Sequence, residues 1–220
     1  MIKAIIFDLD DTLFPEREYV LSGFQAVDEW ISSNCSVLDF FKKAVSFFDE
    51  GKRGNIFNLV LDDIGISYDE ALISKMLNIY REHEPRISLY DDAAEAINYY
   101  KQKNQLGIIT DGYLVAQKKK INALQIRSSF DAIIYSDEFG KANWKPSRTP
   151  YLKMMQALRR KGQECVYVGD NPLKDFLAPA RLGWLPSIRI RRDGSLHHSV
   201  PTPGDCTEVE SLINVVEGFE

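Results

Sequence analysis

Three cysteines in 220 residues, Cys35, Cys165 and Cys206, lie far apart and show no metal-type spacing, which argues against a disulfide framework. Histidine is as scarce, and His83, His197 and His198 are too badly placed to suggest a zinc site. No apolar run approaches the length of a membrane span, and the first acidic cluster arrives too soon for a signal peptide. Basic charge is also in short supply. The formal net charge is -5, and the dense basic runs at 118–120 and 189–192 read as solvated faces rather than as the stripe of a nucleic-acid binder. Neither nucleic acid nor a membrane is an expected partner, and a cytoplasmic, reducing setting is expected. The oligomeric state has no signature here, and there is no internal repeat or low-complexity segment. What the chain does have is 45% hydrophobic residues, over a length ample for a main domain and a smaller one.

Residues 2–9, 106–110, 132–135, 165–168 and 187–190 are short apolar runs that read as strands, most of them apolar on both faces. Such runs suit a parallel sheet covered by helices. Between them, Thr149 and Pro150 open a helix that Gly162 can end, and Asp91 or Asp92 opens another through Ala96, Ile97 and Tyr100. This alternation predicts a doubly wound α/β domain. Residues 15–85 differ. Val20, Phe24, Val27 and Ile31 recur at helical spacing, as do Val37, Phe40, Phe41, Ala44, Val45 and Phe48 between Ser36 and Gly51. Ser67 and Glu70 form a capping-box pattern ahead of Leu72, Met76, Ile79 and Tyr80. The expected organisation is therefore an α/β domain from residues 1–14 and 86–220, with an all-helical insert at 15–85 after the first strand. The tail is expected to carry a helix at 208–216.

In open α/β sheets ligands sit beyond the carboxyl ends of the strands. The first strand ends in Asp8 and Asp10, followed by Thr12; the second ends in Thr110, Asp111 and Gly112. A loop beyond the third carries Lys145 in WKPS, and the fourth ends in GDNPLKD with Asp170 and Asp175. Singly, each of these is an ordinary turn or cap; together they bring carboxylates, a hydroxyl and an ammonium to one edge. Two like charges about 4 Å apart repel by about 4 kcal/mol at an effective dielectric near 20. Lys145 offsets only one, so a hard divalent cation that keeps water and accepts phosphate oxygens, Mg2+, is the expected cofactor. A screened carboxylate nucleophile with groups to hold phosphate oxygens is what phosphoryl transfer requires.

The motifs DLDDT at 8–12, ITDG with Thr110, WKPS with Lys145 and GDNPLKD at 169–175 resemble, in order and approximate spacing, those of the haloacid dehalogenase-like superfamily. Lys174 departs from the asparagine that many members carry before the last aspartate. The insert is similar in position and helical character to the cap of subfamily I. The resemblance implies a Rossmann-like core in which Asp8 is a nucleophile forming an aspartyl-phosphate. Asp10 would be general acid and then base, its backbone carbonyl also binding Mg2+. Thr110 and Lys145, with amides near Asp111 and Gly112, would hold phosphoryl oxygens. Asp170 and Asp175 would ligate the metal with Asp8, while Thr12 and Asp11 serve the loop.

Halide departure needs no proton, so Asp10 argues for a phosphate ester and against dehalogenation. The expected substrate is a small soluble phosphomonoester of sugar phosphate or nucleotide type. A phosphomutase and a non-catalytic phosphate-ligand binding protein stay open beside the phosphatase. A receiver domain is opposed by the insert and the late GDNPLKD. Lys52 and Arg53 in the insert are candidates to meet a remote anionic group, and Tyr113 to line the pocket.

Overall fold

Four wholly buried residues, β1 (Ala4–Phe7), form the middle of the sheet. With no polar face to offer water, this strand can only be flanked on both edges and covered on both sides. The computed structural model describes residues 1–35 and 37–215. It divides into two compact units, Met1–Glu16 with Ile87–Glu220, and Arg17–Arg86.

In the second unit lie α1 (Glu16–Cys35, whose first residue belongs to the other unit), α2 (Phe40–Asp49), α3 (Ile56–Ile64) and α4 (Glu70–Glu82). Val20, Phe24, Val27 and Ile31 on α1 share a buried cluster with Phe40, Phe57, Val60, Leu61 and Met76. The aromatic stripe is core: the Phe24, Phe57 and Tyr80 rings pack edge-on or tilted at 5.8–6.1 Å between centroids. Three details differ from the sequence reading. Helix α2 starts at Phe40, where the left-handed Asp39 (φ 61°) turns the chain; Ser36 lies outside the described residues. Asp69, not Ser67, caps α4, accepting the Leu72 amide at 2.8 Å. Helix α3 was not foreseen.

The first unit holds β2 (Gln105–Thr110), β3 (Ala132–Tyr135), β4 (Cys165–Gly169), β5 (Ile188–Ile190) and β6 (Thr207–Val209) with β1. All pairings are parallel, in the order β3-β2-β1-β4-β5-β6. Its helices are α5 (Asp91–Tyr100), α6 (Leu114–Ala123), α7 (Thr149–Leu158) and α8 (Leu177–Arg181). Tyr151, Met154 and Leu158, at helical spacing on α7, join Ala4, Ile6, Ile109, Tyr167 and Trp184 in one core cluster. Helix α7 stops at Leu158, with Arg159 left-handed (φ 55°), before the Gly162 that the sequence suggested. The tail forms β6 and a single 3-10 turn, Leu212–Asn214, where a helix over 208–216 was expected; residue 216 lies outside the described residues. Among the described residues no helix is long and apolar enough to cross a membrane.

Candidate active site

β1 and β4 are in register, Phe7 opposite Val168, so both strands deliver their following residues to one edge. The Asp8 amide donates to the Val168 carbonyl at 2.8 Å, continuing the ladder one step past β1. This places Asp8 beside the loop that carries Asp170 and Asp175. One carboxylate oxygen from each of the three lies within 4.8 Å of the others, and all three residues are buried.

The last loop is shaped around Asp175. Its Oδ2 accepts the Asn171 amide at 3.0 Å, and its own carbonyl accepts the Tyr151 hydroxyl of α7 at 2.9 Å. Gly169 is required by closeness: a Cβ there would lie 2.4 Å from Asp175 Oδ2.

Lys145 is the cation of the cluster. Its side chain is fully buried, and Nζ lies 2.8 Å from Asp8 Oδ1, 2.8 Å from Asp175 Oδ1 and 3.0 Å from the Tyr167 hydroxyl. Burial works against its charge, but Asp175 and Asp8 outweigh burial and hold its pKa well above the ordinary lysine value. One ammonium does not satisfy three carboxylates. Asp170 is pushed up to about 9, first by burial and then by Asp175 and Asp8; Asp175 is raised by burial despite Lys145. A buried set of hard oxygen donors with unrelieved repulsion is the donor chemistry that suits Mg2+. The residues present therefore fit that ion.

The second strand's residues act as fasteners. Asp111 Oδ1 accepts the Lys145 backbone amide at 3.1 Å, and Oδ2 lies 3.3 Å from Lys174 Nζ, which ties three loops together. Thr110 is buried at the end of β2, its hydroxyl 3.5 Å from the Asp111 carbonyl. Gly112 has φ 122°, and Gln117 Nε2 occupies the place a Cβ would take there. Thr12 is buried, and the Asp11 carboxylate caps α1 by accepting the Glu16 amide at 2.9 Å.

Asp10 stands apart from the three-carboxylate group. Its Oδ1 accepts from Lys120 Nζ at 2.6 Å and its Oδ2 from Gln117 Nε2 at 3.0 Å. The sequence reading missed both partners. It put Lys120 on a solvated face, yet the residue is 4% exposed; Arg189 and Arg192, from the other basic run, are 1% and 8% exposed. Lys120 and Arg192 are buried on acceptors far away in sequence, Asp10 and Asp92, and Arg189 on the carbonyls of Asp170, His197 and Val200. The available signal was spacing: Gln117 and Lys120 stand three apart on α6, the helix that follows the second acidic turn. Arg53 lies in the helical unit, exposed, with Nη1 donating to the Phe48 and Lys52 carbonyls and its guanidinium 3.7 Å above the Phe48 ring. The ring of Tyr113, itself exposed, packs edge-on against Trp144.

Residues 5–184 match the family model described as haloacid dehalogenase-like hydrolase. The chain is 31% identical to a glyceraldehyde 3-phosphate phosphatase of Methanocaldococcus jannaschii, over 100% of this chain and 99% of that protein. It is 24% identical to a pyrophosphatase PpaX of Bacillus cereus, covering 77% of this chain and 75% of the relative. The crystal structure of a HAD-superfamily hydrolase of subfamily IA from Geobacter sulfurreducens superposes with a TM-score of 0.71 at 18% identity, covering 100% and 97% of the two chains.

Proposed function

This chain belongs to the haloacid dehalogenase-like hydrolases, and on that footing we propose that it is a Mg2+-dependent phosphatase working through an aspartyl-phosphate on Asp8. The observation that carries the reading is the buried meeting of Asp8, Asp170 and Asp175 around the Lys145 ammonium.

The Asp8 carboxylate attacks phosphorus, and the bond to the leaving oxygen breaks as Asp10 delivers a proton to it. Asp10, now a base, takes a proton from the water that attacks the aspartyl-phosphate, and inorganic phosphate leaves with Asp8 restored. Lys145 and Thr110, with amides near Asp111 and Gly112, hold the non-bridging oxygens, where charge builds as the bond order changes. Asp8, Asp170 and Asp175, with the Asp10 carbonyl, would hold Mg2+, which supplies positive charge against the nucleophile and the phosphate. Residues 1–14 and 86–220 form the catalytic part in this reading, and residues 15–85 a substrate-selecting insert. The substrate is a small phosphorylated metabolite of sugar phosphate or nucleotide type. The names of the relatives put triose phosphates and pyrophosphate first among the compounds to try.

The test is phosphate release from a metabolite panel with Mg2+. Wild type turns over at least one compound, a chelator stops it, and Asp8→Asn, which keeps shape but loses the attacking anion, is inactive. Turnover unaffected by Asp8→Asn would remove the nucleophile and the intermediate with it.

A further inference from the structure

The span matching the family model ends at residue 184, and two buried arginines lie beyond it. Arg189, on β5, stands opposite Gly169 in the β4–β5 pairing, at the start of the loop that carries Asp170 and Asp175. Its Nε donates to the Asp170 carbonyl at 3.3 Å. The remaining donors hold the tail: Nη1 reaches the Val200 carbonyl at 2.5 Å and the Thr202 hydroxyl at 2.8 Å, and Nη2 reaches the His197 carbonyl at 2.7 Å. Arg192 acts in parallel on the first loop, with Nη2 donating to the Thr12 carbonyl at 3.0 Å and Nη1 to Asp92 at 2.9 Å.

A buried guanidinium is stable only where its hydrogens are used, and these are used largely on backbone oxygens. A carbonyl held in this way fixes the peptide plane from which the side chain of the same residue departs. Groups that orient a ligand from behind commonly matter to the metal as much as an individual ligand does. We propose that Arg189 is a positioning residue for Asp170: anchored by the 197–202 segment, it sets the peptide so that the carboxylate stays grouped with Asp8 and Asp175. The proposal rests on the phosphatase reading for the identity of that group as a Mg2+ site. The guanidinium is needed because its fork addresses several acceptors in one plane; a lysine ammonium cannot span them.

The experiment is titration calorimetry with Mg2+, on full-length protein well below its melting temperature, so that a lower folded fraction does not enter. Wild type is compared with Arg189→Lys and with Arg191→Gln; Arg191 holds the same 197–202 segment, donating to the His198 carbonyl and the Thr202 hydroxyl, and pairs with Glu208 on β6, but among the described residues it makes no hydrogen bond to Asp170. Arg189→Lys raises the dissociation constant by about 10- to 100-fold, and Arg191→Gln leaves it at the wild-type value. Should Arg189→Lys fail to fold, Thr202→Val removes one anchor of the guanidinium and weakens Mg2+ binding severalfold. Equal affinity in wild type and the Arg189 or Thr202 variant overturns the proposal and leaves the phosphatase reading standing, as does an equal loss in Arg191→Gln. A wild-type protein that binds no Mg2+ overturns both.

Discussion

Replacing Lys145 by methionine keeps an unbranched side chain, one atom shorter, and deletes the ammonium that meets Asp8, Asp175 and Tyr167. Removing one partner of a buried ion pair costs about 3–5 kcal/mol, because the other charge is left buried and unpaired. Here the orphaned groups have an escape, since a carboxylate can take up a proton. Asp170 already stands at about 9 and Asp175 above its ordinary value, both through burial first. Loss of Lys145 raises them further. A carboxyl whose folded pKa lies above its unfolded value loses stability as pH rises towards the folded pKa, so the variant's deficit grows with pH. If the folded variant holds one proton more than wild type between pH 6 and pH 8, the deficit widens by about 2.7 kcal/mol over that span. Urea unfolding in chelator, followed by the fluorescence of buried Trp184, measures this at both pH values. The expected result is a loss of about 3–5 kcal/mol at pH 8, clearly less at pH 6, and partial recovery with Mg2+. A deficit under about 1 kcal/mol, or one equal at both pH values, would refute the argument that Lys145 is the counter-charge.

Gly169→Ala drives a methyl against Asp175 Oδ2; a stability loss of about 1–3 kcal/mol is expected, with weaker Mg2+ binding by calorimetry, and wild-type values for both would show that the loop yields freely. Asp69→Ala removes the cap of α4 and is expected to lower stability by about 1 kcal/mol in urea titration while leaving Mg2+ affinity unchanged. Arg53→Ala is expected to reduce turnover of the natural substrate more than that of a small aryl phosphate. Equal effects on the two would confine Arg53 to its turn with Phe48.

Much of the core was legible because its signals are local. Strands buried on both faces announce themselves as Ile-Ile-Phe or Val-Tyr-Val, and the acidic turns follow them directly. The grouping of Asp8, Lys145, Asp170 and Asp175 could be anticipated because like charges at one edge demand a counter-charge wherever the loops lead. What escaped depends on partners remote in sequence. Lys120 and Arg192 look like surface residues until Asp10 and Asp92 come to meet them. Strand β6, three residues mostly exposed, has no alternation to read and exists because β5 offers it an edge. The missed cap at Asp69 reflects a choice between neighbouring candidates that backbone angles decide; Asp69 is extended (φ -113°, ψ 176°), as an N-cap must be.

The position of β1 has a consequence for how the molecule is made. Its hydrogen-bonding neighbours begin at Gln105 on one side and Cys165 on the other. During synthesis the apolar Ala4–Phe7 segment therefore emerges long before either edge can be satisfied, while the helices of Arg17–Arg86 find their partners nearby. Closing so long a loop is slow, and unpaired strand edges invite association with other chains. The same central placement that seats Asp8 makes the newborn polypeptide depend on the distant β4 before its first strand is safe.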